Sequence, residues 1–168
     1  RVIRGMKFLV IRFSSIGDIV LTTPVVRCLK KQVPGAEVHF LTKQAYRGLV
    51  DTNPYIDKVH VLADSFELML HELQTEAYDC IIDLHHNLRT LRIKRFLKQV
   101  KAYSFNKLNV EKFILTNLKI NVLPNKHIVH RNLETLRTFG VKDDGLGLDY
   151  FIPEKDVVSN DDIPTSHI

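Results

Sequence analysis

The chain has 168 residues, 45% of them hydrophobic and 26% charged; this suits one domain with a sizeable core and argues against wholesale disorder. A net charge of +5 and a pI near 9.2 admit nucleic acid, an anionic membrane surface or a phosphorylated ligand, without choosing among them. No run reaches the ~18 apolar residues of a membrane span, and the apolar stretch 8–11 is too short for a signal-peptide core, so the expected location is the cytoplasm.

Strand-like and helix-like patterns alternate along the chain. KFLVIRF (7–13) is a nearly continuous apolar run, as in a strand buried on both faces. A helix is predicted over 18–32, stopped by Val-Pro-Gly at 33–35. AEVHFLT (36–42) reads as the second strand, followed by a short helix over 44–51, the turn TNPYID and a strand at 58–62. A helix over 65–76, a strand over 78–84, a helix over 87–97 and a strand over 98–105 continue the alternation. Helices are predicted over 110–118 and 127–139, the second ended by Gly140. From Lys142 onward the pattern gives way to KDDGLGLDYFIPEKD, which reads as a linker or edge strand with solvated acids at 143–144. Repeated β-α units of this kind imply a Rossmann-like, doubly wound domain: a mostly parallel sheet with helices on both faces. Cys28 and Cys80 lie in apolar sequence inside predicted elements and read as buried free thiols of a reducing compartment.

Three stretches offer chemistry. FSSIGD (13–18) sits where the first strand hands over to a helix, and open α/β sheets hold ligands at the carboxyl ends of their strands. Asp18 can serve there as a helix cap or as a general base for a hydroxyl. Gly17 stands alone in this turn, so the glycine fingerprint of a dinucleotide site is missing. The second stretch runs from Leu84 to Val110, where seven basic residues (Arg89, Arg92, Lys94, Arg95, Lys98, Lys101, Lys107) occur without a single acid. On a helix, Arg89, Arg92 and Arg95 share one slanting stripe, while Leu88, Leu91 and Leu97 are expected to face the core. Such a stripe is either a solvated face or a seat for phosphates and carboxylates, which arginine forks suit. His85 and His86 follow a strand on the same rim as Asp18, but nothing nearby completes a metal-ligand spacing, so no metal is expected. The third stretch, HIVHRNLETLRTFG, places His130 and Arg131 near a helix start; Arg131 meets either an anionic partner or Glu134 three residues on.

These residues resemble the amino-terminal half of the ADP-heptose:lipopolysaccharide heptosyltransferase family. The likeness rests on R-x-S-x-x-G-D at 12–18 with Pro24 six residues beyond the aspartate, PGAEVHFL, NPYID, YDCIIDLHHNLRT and HIVHRNLETLRTFGV, in that order. It implies the amino-terminal half of a GT-B fold. Residues 6–152 would form the acceptor-side domain and 153–168 a linker toward a carboxy-terminal domain missing from this sequence. It also implies transfer of heptose from an ADP-sugar to the lipopolysaccharide inner core, with inversion, no cofactor and no obligatory metal. Asp18 takes the place of the family's base, beside Ser14, Ser15 and Gly17. His86, Arg89, Arg92, His130 and Arg131 would meet acceptor carboxylates and phosphates. The implied partners are the lipopolysaccharide core acceptor, an ADP-sugar held mainly by the other domain, and the inner face of the cytoplasmic membrane by peripheral contact. Without an aromatic-basic stacking motif, nucleic acid is not expected.

Overall fold

The computed structural model describes residues 5–62, 65–105 and 127–153. The predicted helix over 110–118, Lys107 and the linker from 154 onward lie outside the described residues. The strands are β1 (Lys7–Ile11), β2 (Glu37–Lys43), β3 (Lys58–Leu62), β4 (Cys80–Asp83) and β5 (Lys101–Ser104). They form one sheet in the order β3-β2-β1-β4-β5, every pair parallel. The expected doubly wound α/β architecture is therefore present. The strand order reverses between β1 and β4, which opens the crevice where such sheets take ligands.

The buried runs of β1 and β4 explain their central places. Phe8, Val10, Val38, Phe40 and Ile82 pack on one face with Val25, Val26 and Leu29 of helix α2 (Thr23–Gln32) and with Leu133 of helix α5 (Ile128–Leu133). Leu9, Ile11, Leu41 and Ile81 pack on the other with Met69, Leu70 and Leu73 of helix α3 (Phe66–Thr75) and Ile93 of helix α4 (Leu88–Phe96). Each fully buried side chain of this size contributes about 1.5–3 kcal/mol, so a sheet covered on both faces carries most of the stability. Cys28 and Cys80 are buried free thiols as expected, and burial pushes Cys80 up to about 11.

Several boundaries differ from the sequence-based expectation. The helix predicted over 18–32 is two helices, α1 (Ile16–Val20) and α2, joined at Leu21–Thr22. Pro24 lies in the first turn of α2 and has no N–H to carry the ladder across. The Thr23 hydroxyl instead caps the Val20 carbonyl at 2.8 Å. Residues 44–49 and 134–139 are 3₁₀ rather than α-helical; the latter follows α5 and ends at Gly140 in the left-handed region, φ 71°.

Helix α4 also has a different phase. Leu88 and Leu91 were expected inside, but they are 79% and 42% exposed, while Thr90 and Ile93 are buried. Asn87 decides this: its side chain accepts from the Thr90 amide at 3.0 Å, and its own amide donates to the Thr90 hydroxyl at 2.9 Å. That reciprocal cap turns Thr90 inward and both leucines outward.

Of the acids at 143–144, Asp143 is exposed as expected, but Asp144 is drawn into the fold. Asp144 accepts from Arg27 Nη2 at 2.7 Å and Nε at 2.8 Å, Asp149 pairs with Arg27 Nη1, and the Gly147 carbonyl accepts at 2.9 Å. Arg27, 1% exposed, stands among Val25, Val26, Cys28 and Leu29, so its guanidinium must find its partners within the fold. Gln32 bonds both backbone groups of Lys142, and the Asp149 amide donates to Thr23. Residues 142–149 thus form a strip lying antiparallel along α2, held at three points.

Candidate functional site

The loop after β1 is organised by Arg12. Its Nε donates to the Ser14 carbonyl at 2.8 Å, Nη1 to the Leu84 carbonyl beyond β4, and Nη2 reaches Asp18 Oδ2 at 2.5 Å. One guanidinium therefore spans the β1–β4 crevice and ties both strand ends to the carboxylate. The Ser15 amide and hydroxyl also donate to Oδ2, at 3.2 and 3.1 Å. Asp18 is the third residue of α1 and its carboxylate reaches back to the helix start, so the capping role is real. Burial alone would raise its pKa; the Ser15 bonds and the Arg12 charge outweigh that and hold the carboxyl below its ordinary value. Every contact from the described residues falls on Oδ2. The side chain is 40% exposed, and among the described residues none contacts Oδ1.

Gly17 needs no special backbone here. A Cβ built at this position meets nothing within 4 Å, so the fold would tolerate alanine and the bare backbone leaves space above the loop.

Across the crevice, Asp83 at the end of β4 is fully buried and shapes the 84–87 loop. Its Oδ1 accepts from the amides of His86 at 2.7 Å and His85 at 3.2 Å, and its Oδ2 pairs with Lys94 at 2.7 Å. Burial pushes this carboxyl up, but Lys94 and the His86 amide prevail and keep it ionised below the ordinary range. Lys94, one of the seven predicted basic residues, is thus internally neutralised. His86 takes a left-handed backbone conformation (φ 51°) and its Nδ1 lies 3.1 Å from the Phe105 carbonyl. Arg131 stacks over the Phe105 ring at 5.3 Å. His86 and Arg131 therefore meet through Phe105, on the same rim as Asp18.

Arg89 and Arg92 open onto a groove of about 510 Å³, whose other walls include Lys43, Gln44, Leu62 and Phe66. Lys43 and Leu62 end β2 and β3, so this groove lies on the same rim. Arg92 stacks on Phe66 at 4.6 Å and approaches Glu67 at 3.4 Å, which pre-orients it. Arg95 is exposed on the α4 surface. His130 faces elsewhere: it pairs with Asp143 of the strip at 3.2 Å.

The sequence reading named Asp18, His86, Arg89, Arg92 and Arg131, all of which the fold carries to one rim. It assigned no separate role to Arg12, Lys43, Asp83 or Phe105. Arg12 had a signal, being the first residue of the R-x-S-x-x-G-D motif; Lys43 had one as a cation closing a strand.

Curated proteins resemble this chain in sequence, and solved structures resemble it in fold. Lipopolysaccharide heptosyltransferase 1 of Campylobacter coli is 26% identical over 138 residues, 76% of this chain and 40% of its own length. Lipopolysaccharide heptosyltransferase 3 of Escherichia coli K12 is 28% identical over 141 residues, with the same coverage of both chains. A crystal structure of a glycosyl transferase of family 9 from Veillonella parvula shares the fold, with a TM-score of 0.70 at 19% identity over 91% of this chain and 47% of its own. No family model matches the chain. The chain spans about 40% of the length of these curated relatives. The matches support the heptosyltransferase family at its amino-terminal region.

Proposed function

We propose that this chain, similar as it is to the amino-terminal region of heptosyltransferases, is the acceptor-side domain of an inverting glycosyltransferase that moves heptose from an ADP-sugar to the lipopolysaccharide inner core. The observation that carries the reading is an ionised aspartate beside the β1–β4 crevice, with one oxygen fixed by Arg12 and Ser15 and the other uncontacted among the described residues. The acceptor hydroxyl gives its proton to Asp18 Oδ1 while its oxygen attacks the anomeric carbon. The carbon–phosphate oxygen bond breaks from the opposite face, and ADP leaves with the electron pair, so configuration inverts. No metal or cofactor is needed for this balance. Charge developing on ADP is met mainly by a carboxy-terminal domain reached through the 153–168 linker.

Ser14, Ser15 and Gly17 border the reacting hydroxyl, and Lys43, Arg89 and Arg92 line the groove that would receive phosphates and carboxylates of the acceptor. His86 and Arg131 extend the polar rim. The reaction belongs on the cytoplasmic side, with peripheral contact to the inner membrane and no nucleic-acid partner.

Two measurements on the intact transferase test this assignment. Gly17→Ala is expected to leave the thermal midpoint unchanged or slightly raised, since alanine favours a helix by about 1 kcal/mol over glycine. It should nevertheless lower turnover, because the new methyl occupies space needed by the acceptor; full activity would remove Gly17 from the site. The double charge reversal Arg89→Glu/Arg92→Glu should raise KM for a soluble anionic acceptor fragment by about tenfold or more, in line with charge-assisted hydrogen bonds.

A second reading is a non-catalytic module that binds anionic glycolipid or membrane surface through the Arg89–Lys107 region. Leu88 and Leu91 favour it, because they stand exposed beside Arg89, Arg92 and Arg95 and offer apolar anchors among cations. Liposome binding lost in the charge-reversed variant, with no transfer to the soluble fragment by the unaltered protein, would favour this alternative.

A further inference from the structure

At the end of the sheet opposite the Asp18 loop, two histidines and a glutamate meet in the interior. His39 and His60 each occupy the third position of neighbouring parallel strands, β2 and β3, in the similar contexts EVHFL and KVHVL. The register sets Leu41 beside His60 and His39 beside Lys58, so both imidazoles lie on the α3 face. Their side chains are only 2% and 1% exposed. Glu76 and Tyr78 come from the connection between α3 and β4.

Counting protons in this cluster exposes an imbalance. His39 Nε2 lies 2.9 Å from the Glu37 carboxylate and His60 Nδ1 lies 3.0 Å from the Glu72 carboxylate. Ionised carboxylates only accept, so those outer ring nitrogens carry the hydrogens. With both rings neutral, the inner nitrogens, His39 Nδ1 and His60 Nε2, present lone pairs toward each other across 3.2 Å. The Tyr78 hydroxyl approaches both, at 2.8 and 3.0 Å, but has one proton and can serve one of them. The Glu76 carboxylate completes the ring, its oxygens 3.8 and 3.9 Å from the two inner nitrogens. Burial would raise Glu76, but bonds from Lys58 and Lys7 bring it down to about 2, so it is an anion.

We propose that His39 Nδ1, His60 Nε2 and the Glu76 carboxylate bind one divalent cation of the zinc class, with the Tyr78 oxygen as fourth donor once the ion displaces its proton to solvent. A tetrahedral zinc with bonds of about 2.0–2.1 Å sets its donors roughly 3.3 Å apart. The distances of 2.8, 3.0 and 3.2 Å among the two nitrogens and the phenol oxygen all lie below that spacing, so these donors would spread slightly around the ion. The Glu76 oxygens need only a small inward turn from 3.8 and 3.9 Å. Glu37 and Glu72 behind the histidines supply the outer hydrogen bonds that fix the tautomer and orient each ring, as carboxylates do behind metal-bound histidines. Lys7 and Lys58 pair with Glu76, yet a carboxylate offers about four lone-pair directions and can keep them while ligating. Such an ion would cross-link β2, β3 and the α3–β4 connection, away from the transfer chemistry.

The test uses the 168-residue chain after chelator treatment and dialysis. Calorimetric titration with zinc should give one equivalent, and at a hundredfold excess over Kd the thermal midpoint should rise by about 5 °C. Cobalt(II) should develop the intense visible absorption of a tetrahedral site. His60→Gln, which can retain the bond to Glu72, should abolish both signals, and Glu76→Gln at a part-exposed position should weaken them at least tenfold. X-ray absorption of the zinc-loaded unaltered protein needs no variant and should show two imidazoles in the first coordination sphere. Absence of zinc binding, undiminished binding in folded His60→Gln, or an all-oxygen zinc environment would each overturn the assignment and leave a proton-sharing hydrogen-bond cluster.

Discussion

Replacing Asp18 with asparagine is expected to lower turnover of the intact transferase by about two orders of magnitude or more, the usual loss with a general base. Asparagine keeps the side chain's shape and can still accept from the Ser15 amide and hydroxyl, so the start of α1 should survive. It loses the charge facing Arg12 and the ability to take a proton. Near-normal turnover with a lowered thermal midpoint would reduce Asp18 to a cap. The pH profile gives a second check. Asp18 is held below its ordinary pKa, so it is deprotonated throughout the neutral range. The acid limb of kcat/KM assigned to Asp18 should therefore lie below the ordinary aspartate range. Arg12 thus sets a compromise: it positions the base and keeps it ionised, at some loss of proton affinity.

The largest expected effect on stability belongs to Arg27. Arg27→Met keeps much of the buried volume but leaves Asp144 and Asp149 without their cation, and breaking a buried pair from one side typically costs about 3–5 kcal/mol. For a domain of this size that corresponds to a fall in thermal midpoint of roughly 10 °C. The deficit should depend on pH in a defined direction. The Arg27 hydrogen bonds depress the folded-state pKa of Asp144 well below the ordinary carboxylate range. Its contribution is therefore fully present above pH ~4 and lost as pH falls toward the folded value. The gap between the unaltered protein and Arg27→Met should narrow on acidification below pH 4. A gap independent of pH would mean that Arg27 acts through packing alone.

The parallel sheet was legible because β1, β2 and β4 are short, largely apolar and separated by turn residues, as strands buried on both faces are. The Asp18 loop was legible for a related reason, since it follows the most central strand. The phase of α4 was not. Leucines occur on both sides of that helix, and the Asn87–Thr90 cap, rather than hydrophobicity, selects the buried side. Arg27 and Asp144 stand 117 positions apart, and nothing in local pattern pairs a cation on one helix with an acid in a glycine-rich stretch. The same holds for His39, His60 and Glu76, whose meeting depends on strand register. Hydrophobic periodicity reports on local burial; polar partners chosen across the fold leave little trace in it.

The strip at 142–149 has a topological consequence. Helix α2 starts at the Asp18 rim and descends along the sheet; by running antiparallel to it from Gln32 to Thr23, the strip returns the backbone from the floor of the domain to that rim. Arg27 and Thr23 anchor the return within a helical turn of its upper end. Past this anchor the backbone crosses to the β2–β3 connection, where the Thr52 hydroxyl donates to the Phe151 carbonyl at 2.8 Å and the Phe151 ring meets Tyr55, so one late segment fastens α2 to that connection.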